Sequence, residues 1–351
     1  MMRLEEPRRT NPSEHLMNAA TTSPLVSVAM PTFNRPEYLR RALEGVLAQT
    51  YTNLEILVGD NGNSSVTREI VESLNDPRIT YIGREKNLGM ALNVLSLFKQ
   101  GHGEYFCVLA DDDFWGEQFI AKLVTALEQN PKAGMAFSDY FVVDGQSDVQ
   151  LDATEAATRE WGRDQLEPGL HVPAFDIGLI KRNISLVASV FRRKSVNLEN
   201  FLLETANTYD LWLFYLALEH GGGAFYEPDR LMYCRVHTGQ DSVNSHVALD
   251  LNASMIYDLF LKDSRLKNLH SVFRKEIMVR RTRAGTQMLH SGRAREARLE
   301  LWKVLQKGFK PRAAIGFVLS FLPAKTASAL SSRLRSLLGT IRRTVKTKIH
   351  G

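Results

Sequence analysis

Apolar runs alternate with polar turns along the first third of the chain, and the runs switch between two spacings. Short and almost wholly apolar runs predict buried strands at residues 25–30, 54–58, 79–82 and 105–109. Between them, apolar residues recur every three or four positions, which predicts helices at residues 37–47, 66–74 and 90–99. Strands that alternate with helices favour right-handed crossovers and a mainly parallel sheet covered on both faces. The pattern therefore predicts an α/β fold.

Polar turns follow three of these strands. They are the turn at residues 31–35, the pair Asp60-Asn61, and the triplet Asp111-Asp112-Asp113. In an open parallel sheet, ligands bind beyond the carboxyl ends of the strands. Because all three turns are expected at that edge, they predict one shared ligand site.

The aspartate triplet closes the apolar run YFCVLADDDFW and is the most specific of the three signals. Adjacent like charges repel. Each carboxylate also costs several kcal/mol to desolvate unless a cation or hydrogen-bond donors compensate. Hard oxygen ligands suit Mg²⁺ or Mn²⁺ shared with a phosphate group. The chain contains neither G-x-G-x-x-G nor a Walker-type loop, so a metal is the natural substitute. A solvated acidic turn remains the alternative.

Composition and cysteine content set the broad class. With 351 residues, of which 44% are hydrophobic, the chain can bury a large core. Its two cysteines, Cys107 and Cys234, are too few for a disulfide framework, which predicts a reducing, cytoplasmic setting. Residues 1–23 lack an apolar stretch long enough for a signal peptide and predict a disordered leader.

Positive charge is concentrated at the end of the chain. Residues 301–351 hold eleven Lys or Arg and no Asp or Glu, so the remaining residues carry a net −6 against the overall +5. The apolar stretch 313–322 is too short to span a bilayer. Residues 330–345 predict a basic amphipathic helix on the inner face of a membrane. The alternative is a helix packed on the body with a solvated basic face; nucleic-acid binding is not expected, because stacking aromatics are scarce there.

Two segments carry a resemblance to a known family. VSVAMPTFNRPEYLRRALEGVLAQTYTNLEILVGDNG and KNLGMALNVLSLFKQGHGEYFCVLADDDFW look like the family 2 inverting glycosyltransferases of GT-A fold, and the resemblance covers roughly residues 25–240. It implies a GT-A domain at residues 24–248, with a nucleotide-sugar half (24–115) and an acceptor half (116–248). Residues 249–351 would form a helical, basic extension.

The resemblance also assigns roles in the first half. Asp60 would accept a hydrogen bond from the base. The family often has a second aspartate where this chain has Asn61, and another where it has Ala110. Asp112 is the favoured metal ligand, and Asp113 is a second candidate that would also approach the ribose or sugar. The other residues expected to bind the donor nucleotide are Pro31, Thr32, Phe33, Arg35, Arg84, Asn87, Gly89 and Asp111.

In the second half, the resemblance places Asp210 at the position of the general base that deprotonates the acceptor hydroxyl. An aspartate that stabilises the start of a helix is the alternative, and Glu204 is the reserve candidate. The Tyr-x-Arg-x-His pattern at 233–237 would supply Arg235 to neutralise phosphate and His237 to complete the metal shell. Residues 140–175 are polar and predict an irregular, variable loop over the acceptor site.

These observations predict a metal-dependent inverting glycosyltransferase that uses Mg²⁺ or Mn²⁺ and a UDP-, GDP- or dTDP-sugar. Its acceptor would be a glycan or a lipid-linked glycan of bacterial surface polysaccharide, lipopolysaccharide or glycolipid assembly. A sugar-phosphate nucleotidyltransferase would need a Gly-rich basic loop where the chain has PTFNRPEY. A catalytically impaired relative that only binds a nucleotide or glycan stays open because of Asn61 and Ala110.

Overall fold

The computed structural model describes residues 23–220, 222–237, 246–323 and 325–330. The strands are β1 (Val26–Thr32), β2 (Leu54–Asp60), β3 (Ile79–Gly83), β4 (Tyr105–Val108), β5 (Phe114–Trp115), β6 (Ala133–Val143), β7 (Gly169–His171), β8 (Ser189–Arg192) and β9 (Gly223–Arg235). The helices are α1 (Pro36–Leu47), α2 (Ser65–Ser73), α3 (Met90–Gln100), α4 (Phe119–Gln129), α5 (Leu151–Glu160), α6 (Phe175–Leu179), α7 (Tyr209–Leu218), α8 (His246–Phe260), α9 (His270–His290), α10 (Ala294–Lys307) and α11 (Pro311–Leu319).

The strands form one mixed sheet in the order β3-β2-β1-β4-β8-β6-β9-β5, with β7 beside β9. Strands β1 to β4 are parallel, whereas β8 runs antiparallel to both β4 and β6. The register pairs Thr32 with Asp60 and Asp60 with Gly83. The carboxyl ends of these strands therefore meet at one edge, as the sequence predicted.

Helices cover both faces because successive strand residues point to opposite sides. In β1, Val28 and Met30 belong to one core and Ala29 to the other. Helix α1 begins at Pro36 and turns its buried face, which includes Leu39 and Leu43, into the first of these cores. The α/β prediction, with its four strands and three helices in the first half, is confirmed.

The predicted irregular loop at residues 140–175 is wrong, because the segment contains helix α5 and strand β7. The polar residues on the buried side of α5 are satisfied by hydrogen bonds. Thr154 Oγ1 accepts from Val142 N at 2.9 Å, and Thr158 Oγ1 donates to Asp139 Oδ2 at 2.8 Å. A polar residue that is buried through such bonds gives no apolar periodicity in the sequence.

The described chain after β9 is largely helical, as predicted for the extension from residue 249, and α9 and α10 are joined at Ser291-Gly292. The predicted domain boundary at 248/249 falls inside α8. From α8 and α9, Tyr257, Phe260 and Phe273 pack into the core of the sheet domain. A separate small core joins α9, α10 and α11.

Two predictions fall mainly on residues that the structure does not describe. They are the leader, apart from residue 23, and the basic amphipathic helix beyond residue 330. Within the described parts of the chain, no helix is both long enough and apolar enough to cross a bilayer.

Candidate functional site

A cleft of about 520 Å³ opens at the carboxyl edge of β1, β2 and β4. Its size lies within the usual range for sites that hold small molecules, roughly 300–1,000 Å³. The turn after β1 supplies one wall and the aspartate triplet another. The lining residues are Pro31, Thr32, Phe33, Asn34, Arg35, Asn61, Asn87, Gly89, Met90, Ala110, Asp111, Asp112 and Asn207.

Asp111 is held by the turn after β1. Its Oδ2 accepts a hydrogen bond from Thr32 Oγ1 at 2.8 Å, and its Oδ1 lies 3.3 Å from Arg35 Nη1. Burial and the neighbouring charge of Asp112 raise the pKa of Asp111 to about 6, although Thr32 and Arg35 oppose this shift. The end of β1 and the turn after it therefore fix this side chain.

Asp112 lies between two groups that can carry positive charge. Its Oδ2 is 3.2 Å from Arg35 Nη1 and 3.0 Å from His237 Nε2. The ring of His237 also lies 5.1 Å from that of Tyr38 on α1. The structure thus brings together Arg35, Asp112 and His237, which the sequence predicted separately.

Asp113 faces away from this arrangement and does not line the cleft. Its Oδ1 accepts a hydrogen bond from the backbone N–H of Arg235 at 2.9 Å. Burial and the charge of Asp112 raise the pKa of Asp113 well above its usual range. The geometry gives Asp113 the position of a carboxyl group that ties the triplet to β9.

Arg235 is buried, and its guanidinium donates to backbone carbonyls. Nε donates to Asp112 O at 2.8 Å, and Nη1 donates to Asp144 O at 2.9 Å and Gly145 O at 3.0 Å. The rings of Tyr38 and Phe114 pack against it. The guanidinium therefore holds the backbone of the aspartate triplet in place. Arg235 is not among the residues that line the cleft.

Asp60 and Asn61 organise the turns beside the cleft. Asp60 accepts from Gly62 N, Ser64 N and Tyr81 Oη, each at 2.8 Å, and is fully buried. Asn61 lines the cleft, and its Oδ1 accepts from Leu88 N at 3.2 Å. The side chain of Asn61 thus holds the loop before α3. The sequence analysis, which noted only that the family often has an aspartate at this position, did not predict this role.

That loop carries three further residues predicted to bind the donor. Asn87 and Gly89 line the cleft, and Asn87 Oδ1 accepts from Gly89 N at 2.8 Å. Gly89 has φ +74°, a conformation that favours glycine. Arg84 does not line the cleft, because its guanidinium donates to Asn93 Oδ1 at 3.1 Å and Ser96 Oγ at 2.5 Å.

A second hollow of about 300 Å³ contains Asp210, in the first turn of α7. Its carboxylate is about one-third exposed and lies 3.9 Å from Arg182 Nη2. Asn207 lines both the hollow and the cleft, so the two spaces adjoin. Glu204 is exposed and lines neither of them. The cleft residues that were not named as candidates are Asn34, Met90 and Asn207; the first two lie within the quoted segments, whereas Asn207 lies in neither of them.

The donor atoms around Asp112 allow a test of whether a metal fits. In the chain as described, no group of three His, Cys, Asp or Glu side chains is spaced to hold a metal. Asp112 Oδ2 and His237 Nε2, 3.0 Å apart, can nevertheless bind one cation together. Mg²⁺ and Mn²⁺ sites commonly use one or two protein ligands and complete the shell with phosphate oxygens and water. The residues present fit a metal that is shared with a phosphate ligand.

Comparison with known sequences gives consistent matches. Residues 27–185 match the family described as glycosyl transferase family 2. An uncharacterised glycosyltransferase of Rickettsia typhi is 30% identical over 228 residues, which cover 64% of this chain and 68% of that protein. A putative colanic acid biosynthesis glycosyl transferase of Escherichia coli K12 is 32% identical over 126 residues, covering 35% of this chain and 45% of that protein.

Solved structures share the fold. Staphylococcus aureus TarS 1–349, in complex with UDP-GlcNAc, superposes with a TM-score of 0.63 at 15% identity, covering 91% of this chain and 92% of that one. The Pyrobaculum calidifontis mannosyltransferase PcManGT, in complex with GDP-Man and Mn²⁺, gives a TM-score of 0.52 at 15% identity, covering 89% and 85%. At these identities the likeness establishes the GT-A fold alone.

Proposed function

The chain belongs to glycosyl transferase family 2, and from that membership we propose that it transfers a sugar from a nucleotide-diphospho-sugar to an acceptor hydroxyl with inversion. One observation carries the proposal. The cleft that contains Asp111 and Asp112 adjoins, at Asn207, the hollow that contains Asp210. A donor and an acceptor bound in these two spaces would meet at their junction.

The donor nucleotide would lie in the cleft. Phe33, from the turn after β1, is about half-exposed and offers an aromatic surface there. Arg35 offers a positive charge to the diphosphate, and Asn87 and Gly89 form the opposite wall. Asp60 and Arg84 would act mainly by holding the turns in place. The complexes of TarS with UDP-GlcNAc and of PcManGT with GDP-Man support a nucleotide-sugar donor.

Asp112 and His237 would hold the divalent cation, Mg²⁺ or Mn²⁺, and the Mn²⁺ in the PcManGT complex supports this assignment. When bound, such a cation neutralises the charge that develops on the departing diphosphate. Asp113 and Arg235 would keep the triplet loop in the geometry that this requires.

Asp210 would act as the general base. Its carboxylate takes the proton of the acceptor hydroxyl while the hydroxyl oxygen forms a bond to the anomeric carbon. The bond from that carbon to the diphosphate oxygen breaks on the opposite face, which inverts the configuration. The electron pair leaves with the diphosphate, and the proton ends on Asp210.

The acceptor would be a glycan or lipid-linked glycan made on the cytoplasmic side in bacterial surface polysaccharide, lipopolysaccharide or glycolipid assembly. The match to a putative colanic acid enzyme supports this pathway. We propose the division into a donor half, 24–115, an acceptor half, 116–248, and a helical extension from 249, with α8 and α9 packed into the acceptor half.

Calorimetric titration of UDP, GDP and dTDP, with and without Mn²⁺, tests the proposal. We expect metal-dependent binding of one nucleotide to the full chain and at least about tenfold weaker binding to Asp112→Asn, because one charged metal ligand is lost. Asp152→Asn, on the exposed start of α5, is the matched control and should bind like the wild type.

Two outcomes would contradict the proposal in different ways. If none of the nucleotides binds, the donor site is wrong. If one nucleotide binds but its sugar conjugates give neither transfer nor hydrolysis with any glycan acceptor, the chain is a binding module of the kind that Asn61 and Ala110 left open.

A further inference from the structure

Exposed apolar side chains are concentrated near the end of the described chain. Eight of the eighteen large apolar residues that are exposed in the described ranges lie between positions 299 and 330. Phe309 is 78% exposed, Val318 66% and Phe321 61%. Single exposed apolar residues need no explanation, but a cluster of this kind marks an interaction surface.

Helix α11 carries apolar residues on its outer side as well as on its buried side, where Phe317 and Leu319 pack against the small core. Its small residues Ala313 and Gly316 face the protein, and a Cβ added at Gly316 would lie 3.0 Å from Leu301 Cδ1. Two of its large residues, Ile315 and Val318, are exposed. The outer side of a surface helix usually carries polar residues, so these two side chains favour an interaction surface.

Ring contacts link exposed residues of α10 and of the turn after α11 through Phe317 of α11. The ring of Trp302 lies 5.5 Å from that of Phe317, which lies 5.3 Å from Phe321. Arg298 covers Phe321 at 3.9 Å. We call the exposed set Trp302, Phe309, Ile315, Val318 and Phe321 the apolar face.

Basic residues surround the apolar face. Lys310 and Arg312 are exposed on either side of Pro311, between Phe309 and α11. From residue 301 to residue 351 the chain has no acidic residue, and six further Lys or Arg follow residue 330. The charge complement of this surface is therefore anionic.

We propose that the apolar face docks on an anionic lipid surface. Aromatic and aliphatic side chains beside Lys and Arg are the combination that inserts at the boundary between headgroups and acyl chains. Protein interfaces, by contrast, are depleted in lysine. The apolar side chains would enter the lipid while Lys310 and Arg312 contact its phosphate groups.

Sedimentation of the full chain with vesicles tests this surface. One set of vesicles contains phosphatidylcholine alone, and the other contains equal amounts of phosphatidylcholine and phosphatidylglycerol. We expect binding to the second set, weakened by salt. The double variant Lys310→Glu/Arg312→Glu should bind about thirtyfold more weakly, since each basic group near such a surface contributes about fivefold.

A second variant and a matched control separate this site from general charge and from misfolding. Phe309→Ser/Val318→Ser should also lose binding, because both side chains are exposed and their loss leaves the fold intact. Lys132→Glu/Lys194→Glu makes the same change in net charge on the sheet domain and should bind like the wild type. All variants should keep the far-ultraviolet circular dichroism of the wild type.

Three results would overturn the proposal. In the first, the full chain stays in the supernatant with both kinds of vesicle; in the second, the control weakens binding as much as Lys310→Glu/Arg312→Glu does. In the third case, the wild type would dimerise in a concentration-dependent way that Phe309→Ser/Val318→Ser abolishes without any lipid binding, which would assign the apolar face to a second copy of the chain.

Discussion

At the scale of single residues, three consecutive aspartates occupy three different environments. Asp111 is bonded to the turn after β1, Asp112 meets Arg35 and His237 at the cleft, and Asp113 is bonded to the backbone of Arg235. Burial, and in second place the negative charge of Asp112, raises the pKa of the two outer carboxyl groups. Asp112 lines the cleft together with Asp111, and its carboxylate is the one that meets both Arg35 and His237.

Replacing Arg235 tests whether this residue anchors the triplet or binds phosphate. Arg235→Ala removes hydrogen bonds to three backbone carbonyls, those of Asp112, Asp144 and Gly145, and leaves a cavity where the buried side chain packed, so we expect the free energy of unfolding to fall by about 3 kcal/mol. Urea denaturation measures this change. Arg235→Met keeps much of the side-chain volume but no donor. It should therefore recover only the part of the lost free energy of unfolding that comes from packing.

Nucleotide binding by the same variants separates the two roles. An anchoring arginine predicts lower stability together with weaker nucleotide binding. If Arg235→Ala unfolds at the wild-type urea concentration and still loses nucleotide affinity, its guanidinium contacts the phosphate directly and the anchoring role is wrong.

At the scale of secondary-structure elements, polar networks decide where segments pack. Helix α5 lies against β6 through Thr158, Asp139 and Arg163, whose Nε donates to Asp139 Oδ1 at 2.6 Å. A similar polar network holds the segment between α8 and α9 against α7. Tyr215 Oη donates to Asp263 Oδ2 at 2.9 Å, and Arg265 donates to both Asp263 and Tyr215.

This second network predicts a pH dependence of stability. The hydrogen bonds from Arg265, together with that from Tyr215, lower the pKa of Asp263 from 3.8 to about 2. A carboxyl group whose pKa is lowered by folding stabilises the native state above its unfolded pKa. That stabilisation is lost as the pH falls through the folded value.

We therefore expect the difference in free energy of unfolding between wild type and Asp263→Asn to be constant above about pH 5 and to shrink as the pH approaches 2. Urea titrations at several pH values measure it. Asp152→Asn, at an exposed site, is the control. A difference that does not change with pH would show that Asp263 acts only as a neutral hydrogen-bond acceptor.

At the scale of the whole molecule, the C-terminal helices belong to two cores. Tyr257, Phe260 and Phe273 share the core of the sheet domain, whereas Met288 and Leu301 belong to the separate core of α9 to α11. The apolar face and the basic residues beside it lie on the helices of the second core and the segments next to them. Helix α9 contributes to both cores and thus joins the sheet domain that carries the cleft to the C-terminal helices.

Two truncations test this arrangement. A chain that ends at residue 248 removes three large aromatic side chains from the sheet domain, so we expect it to be insoluble or to lack cooperative unfolding. A chain that ends at residue 330 keeps both cores and should unfold like the full chain. Thermal denaturation followed by circular dichroism distinguishes them. Cooperative unfolding of the shorter chain would support a domain boundary at residue 248.

The sequence by itself determined the order of strands and helices in the first half, the shared edge of the sheet and the family. Those features follow from local periodicity and from turns at the ends of parallel strands. Only the tertiary structure decided which aspartate meets both Arg35 and His237, because these partners of Asp112 lie 77 and 125 positions away in the chain. It also decided that residues 151–160 are helical, since their buried threonines are stabilised by hydrogen bonds to β6 and leave no apolar pattern in the sequence.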